Sequence, residues 1–245
     1  MCKRRVKMKS NIISTVIMTF LYLVVYPMIR SFFADFKTVG TIINLAVMAL
    51  MIVFSLVRIH DVKDFKGYGV CAGDNAGKMK LILPLFILPI LNVPSLFMGA
   101  NVTPMVTASA IYVGIMEELI FRGCVYKLVD DKWGEHKAIV FSSIAFGLFH
   151  LINLSGSGKD IVYLTILQVF YACAIGFAFA VVRARTGSIL FPVIVHALVD
   201  IIGMADENKK FDVIFDSCAC VVLIAFGTVY YVKYRKETGR IETAA

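Results

Sequence analysis

Eight apolar stretches, each close to the ~20 residues that a membrane-crossing helix requires, set the limits on what this chain can fold into. They run near 11–33, 39–57, 80–99, 105–128, 138–155, 161–182, 188–205 and 212–232. The chain is 59% hydrophobic, above the roughly 45–50% of soluble domains. With a mean hydropathy of +0.81, the excess calls for a solvent other than water. No repeat, low-complexity segment or long linker divides the sequence. The expectation is therefore one all-α polytopic membrane domain, 1–245, of about eight spanning helices.

The placement of Lys and Arg predicts the orientation, because basic loops stay in the cytoplasm. An even number of spans puts both termini on one side. Twenty basic residues fall on that side, among them Lys3, Arg58, Lys66, Arg122, Lys132, Arg183 and Lys236, against five on the other: Arg30, Lys37, Lys159, Lys209 and Lys210. Both termini are thus expected in the cytoplasm, in what reads as a bacterial plasma membrane. The same bias explains the net charge of +8 without a nucleic-acid partner, for which no recognition motif is present.

The basic start followed by a long apolar run reads as an uncleaved signal anchor. Six cysteines without any C-x-x-C read as small hydrophobes. Pro84, Pro89 and Pro94 predict a bent or broken third span. Tyr230, Tyr231 and Tyr234 fit an aromatic belt at the membrane interface.

Against this apolar background, the ionisable residues at membrane depth stand out. Each costs about 2.5–3.5 kcal/mol unless it is paired or faces a cavity. The fourth stretch carries Glu117, Glu118 and Arg122, the fifth Phe146-Gly-Leu-Phe-His150, and the seventh His196-Ala-Leu-Val-Asp200. Glu118 and Arg122 are four apart, in the order that favours a helical ion pair. Glu117, turned about 100° away, must look to another helix. His196 and Asp200 again share a face.

At ~1.5 Å per residue, His196 lies roughly 12 Å, His150 roughly 18 Å and Glu117 roughly 15–18 Å from the cytoplasmic helix ends. Three helices thus deliver ionisable residues to one level. A carboxylate with a histidine can hold and deprotonate a water, and a second histidine with its own carboxylate can stabilise an oxyanion. The same set can also ligate Zn²⁺. No H-E-x-x-H is present to favour that.

E-E-x-x-x-R, F-x-x-x-H and H-x-x-x-D, in this order on successive spans, resemble the CAAX-protease and bacteriocin-processing family of intramembrane endopeptidases over about 104–205. The resemblance implies that Glu117 and His150 activate water, that Glu118 and Arg122 support them, and that His196 and Asp200 stabilise the tetrahedral intermediate. A metal-free glutamate mechanism is favoured over a zinc one. If a metal were used, Glu117, His150 and His196 would be its ligands. The implied substrate is a peptide, either a lipidated CAAX-type C-terminus or a leader peptide. Two other readings remain: a non-proteolytic immunity or scaffold protein of the same fold, and a proton-coupled transporter, which the missing repeat disfavours.

Overall fold

The computed structural model describes residues 24–25, 28–29, 32–33, 36–74, 78–97, 100–155, 161–205 and 212–244, with backbone alone at 37, 95, 155, 205, 212–216 and 238–244. No strand occurs among the described residues. In chain order the helices are α1 (Lys37–Val62), α2 (Met79–Ile82), α3 (Ile87–Phe97), α4 (Pro104–Glu118), α5 (Tyr126–Trp133), α6 (Glu135–Phe149), α7 (Ile161–Thr186), α8 (Leu190–Ala205) and α9 (Asp212–Ala244).

Five helical stretches are long and apolar enough to cross a membrane: Thr38–Val62, Pro104–Trp133, Glu135–Leu154, Ile161–Thr186 and Ser217–Glu237. Met79–Pro94 and Leu190–Met204 are apolar but shorter. The expected span 11–33 and its anchor role lie almost wholly outside the described residues. Large apolar side chains face outward as well as inward. Leu50, Phe170 and Val221 are each about two-thirds exposed, as a lipid-facing surface requires.

The third stretch breaks as its prolines predict, but only at the first of them. Pro84 opens a short 3₁₀ turn, Leu83–Phe86, while Pro94 is accommodated inside α3. The fourth stretch departs from the expected continuous α-helix. Between α4 and α5, residues Leu119–Val125 form a π-helical segment that contains Arg122. Such wider turns cluster at functional sites.

Local chemistry explains where the elements begin. Thr103 Oγ1 accepts from Val106 N at 3.2 Å and Pro104 takes the first helical position, so α4 starts there;. Gly134, at φ +86°, makes the single-residue turn between α5 and α6, a conformation that costs a side-chain-bearing residue more. Ser188 Oγ caps α8 by accepting from Leu190 N at 3.2 Å.

One end of the bundle is laced together by its connections. The segment after α1 lies across the α7–α8 turn: Asp74 N donates to Thr186 O at 2.8 Å, Ile189 N to Gly69 O at 3.0 Å, and Ser188 Oγ to Cys71 O at 2.6 Å. Arg183 Nη2 donates to Gly67 O at 2.8 Å. Tyr68 is buried within this segment, and burial raises the pKa of its hydroxyl. At the same end, Glu135 accepts from Tyr126 and Tyr234, and Tyr230 bonds Lys80 O at 3.5 Å. Two of the three belt tyrosines therefore hydrogen-bond within the protein, and the third, Tyr231, packs its ring against His136 and Phe177. Of the five described cysteines, Cys124 is buried and Cys218 exposed, so the reading as small hydrophobes fits some of them better than others.

Candidate active site

The site lies where α8 packs along α4. Gly114 makes this close approach possible: a Cβ there would sit 3.1 Å from the backbone nitrogen of Ala197. Small residues at such crossings let backbones approach in membrane bundles. One turn on, Glu117 and Glu118 therefore come level with His196, the residue before Ala197.

Glu118 and Arg122 form the expected ion pair, Oε1 to Nη1 at 2.9 Å, with both side chains fully buried. Glu118 has a second partner that helical spacing within one span could not reveal. Its Oε1 also lies 3.0 Å from His196 Nδ1 on α8. A carboxylate paired to arginine only accepts hydrogen bonds, so Nδ1 carries a proton. The other nitrogen, Nε2, then faces Glu117 Oε2 and Asp200 Oδ2, each at 3.6 Å. That separation is close for charges but longer than a hydrogen bond. Glu117 thus finds its interhelical partner in His196.

His150 stands at the junction where α6 tightens into the 3₁₀ segment His150–Ser155. Its Nδ1 donates to the carbonyl of Phe146 at 2.9 Å, because a carbonyl can only accept. In the neutral ring this leaves Nε2 with its lone pair available. His150 reaches the rest of the cluster through Phe146, whose ring centroid is 5.0 Å from that of His150 and 5.7 Å from that of His196. Asp200 is more open than Glu117 and His196: its side chain is 22% exposed, against 6–7% for those two.

Arg122 is enclosed by aromatic rings. Its Cζ lies 4.2 Å from the centroid of Phe146 and 5.5 Å from that of Phe179. Nε and Nη2 have no hydrogen-bond partner among the described residues. Ring faces carry negative quadrupole density and attract such a cation, most strongly where water is absent. Phe179, contributed by α7, escaped sequence reasoning because no motif surrounds it.

Among the described residues, no three His, Cys, Asp or Glu side chains are grouped as a metal ion would need. The arrangement sets three carboxylates, Glu117, Glu118 and Asp200, around one imidazole held in one orientation, with a second imidazole close by.

Acid, base and cation thus lie buried together in a helical chain with stretches long and apolar enough to cross a membrane. Residues 99–202, which include all six of these ionisable residues, match the family model described as Rce1-like, type II CAAX prenyl endopeptidase. The matched residues carry the three motifs, so the match falls where the sequence resemblance lies. No curated protein and no solved structure matched the chain.

Proposed function

We propose that this protein is an intramembrane endopeptidase that cleaves a CAAX-type or other peptide substrate by a metal-free route. Glu117, with His150, takes a proton from a water that attacks the scissile carbonyl carbon. His196, protonated at both nitrogens, and Asp200, as its neutral acid, donate hydrogen bonds to the oxygen on which charge develops. Collapse of the tetrahedral intermediate breaks the C–N bond, and the proton held by Glu117 passes to the leaving amine. Glu118 and Arg122 hold His196 in register.

The observation that carries this reading is the arrangement around His196, with Nδ1 bound to Glu118 while Nε2 faces Glu117 and Asp200. An imidazole fixed at one nitrogen by a buried ion pair presents the other to substrate in a single orientation. The basic loops favour an orientation with both termini in the cytoplasm, which would bring the site within reach of cytoplasmic peptide C-termini.

The test is cleavage of a farnesylated CAAX peptide by detergent-purified protein, with and without a zinc chelator, alongside metal content by mass spectrometry. Cleavage that ignores the chelator, in metal-free protein, supports the glutamate route. Stoichiometric zinc with chelator-sensitive cleavage would replace that route with a metal one. If neither farnesylated nor unmodified peptides are cleaved, the endopeptidase reading falls.

A further inference from the structure

Phe146 begins the F-x-x-x-H motif, and the reaction described above gives it no role. It is almost wholly buried, at 2% exposure, yet it touches three of the six ionisable residues of the site. Its carbonyl receives the Nδ1 proton of His150 at 2.9 Å. Its ring meets the ring of His150 at 5.0 Å and 79°, and that of His196 at 5.7 Å and 85°. The guanidinium of Arg122 lies over the same ring at 4.2 Å.

We propose that Phe146 is a positioning residue for peptide hydrolysis, its ring setting the two histidines and Arg122 relative to one another. The proposal rests on the endopeptidase reading. Near-perpendicular ring pairs are the favoured geometry for a quadrupole, so the one phenyl ring fixes two imidazoles that come from different helices. The guanidinium over that ring is the one that binds Glu118, and Glu118 in turn holds His196 Nδ1. Phe146 therefore acts on His196 twice, directly and through the ion pair.

The neighbourhood leaves the ring little freedom. Phe121 packs edge-on at 5.2 Å. A Cβ at Gly176 on α7 would sit 3.2 Å from Phe146 Cδ1 and 3.1 Å from Arg122 Nη2. Leucine could fill much of the volume, but it has no face for a cation and no edge or face for an imidazole. A role in positioning predicts a loss of turnover without a loss of substrate binding, because Phe146 is buried behind the histidines.

The experiment compares Phe146→Leu with protein carrying a fully fluorinated phenylalanine at 146, which keeps the ring's shape and reverses its quadrupole. Both should lower kcat, Phe146→Leu by about a hundred-fold, as misplacement of reacting groups does, with KM near that of the unaltered protein. Carbon-labelled histidine supplies a readout independent of activity, since the chain has four histidines. In Phe146→Leu the signals of His150 and His196 should lose the ring-current shift, while those of His60 and His136 stay in place.

Unchanged kcat in both altered proteins would overturn the proposal, as would unmoved His150 and His196 signals. If Phe146→Leu does not fold, the fluorinated protein decides by its kcat alone. An unaltered protein that shows the histidine shifts but cleaves no peptide would overturn the endopeptidase reading, and this proposal with it.

Discussion

Glu118 reaches from α4 to α8 and takes the Nδ1 proton of His196 at 3.0 Å, while the same oxygen receives Arg122 Nη1 at 2.9 Å. One buried carboxylate oxygen thereby ties a motif on the fourth apolar stretch to a motif on the seventh. Arg122 offsets its charge, and His196 is held in one orientation.

Removing one partner leaves the other charge buried and unpaired, which costs about 3–5 kcal/mol. Glu118→Ala and Arg122→Ala should each lower thermal stability in detergent and abolish cleavage. Replacing both with leucine should restore much of the stability, since a buried pair can be exchanged for apolar groups, without restoring cleavage. Thermal unfolding of the single and double variants checks this; single variants as stable as the unaltered protein would refute the ion-pair reading.

Glu117→Gln separates chemistry from folding. Glutamine keeps the shape and can hydrogen-bond His196, but it cannot take a proton from water. Cleavage should fall by about 10²–10⁴-fold, the span of general-base contributions, with little change in unfolding temperature. A variant with undiminished cleavage would remove Glu117 from the role of base.

The motifs show how much of this site could be read from sequence. The Glu118–Arg122 pair and the shared face of His196 and Asp200 are local, four residues apart on one helix, so helical period reveals them. The need of Glu117 for an interhelical partner was legible too, but not the partner's identity. That depends on Gly114 meeting Ala197, a contact between spans about eighty positions apart that no period encodes. The π-helical turn at Leu119–Val125 leaves the apolar pattern intact and so leaves no periodic signal. Arg122 was read through charge alone, whereas much of its surroundings are aromatic: Phe146 and Phe179 look like ordinary lipid-facing or core residues until they are placed around it.

Asp200 faces the more open side of the cluster, 3.6 Å from His196 Nε2. Asn in its place can still donate a hydrogen bond to a developing oxyanion, whereas alanine cannot. Asp200→Asn should therefore retain more activity than Asp200→Ala, whose kcat should fall by about 10²–10³-fold if an oxyanion donor is lost. Equal losses in steady-state cleavage would mean that the charge of Asp200, and not its hydrogen bonding, is what the reaction uses.

Gly114 tests whether the α4–α8 approach sets the site. A Cβ there would lie 3.1 Å from Ala197 N and 3.4 Å from Ala197 Cβ, and these are largely backbone atoms that cannot swing aside. Gly114→Ala should push the helices apart by a few tenths of an ångström, and Gly114→Val by more, because valine adds bulk on both sides of Cβ. Overpacking of this kind costs about 1–3 kcal/mol. Cleavage should fall more steeply than stability, since Glu117 and Glu118 follow Gly114 on α4 while His196 stays with α8. Measuring kcat and unfolding temperature across Gly114, Ala and Val separates the two effects. A series in which cleavage falls only in proportion to folded protein would show that the crossing supports the bundle without setting the distance from Glu117 to His196.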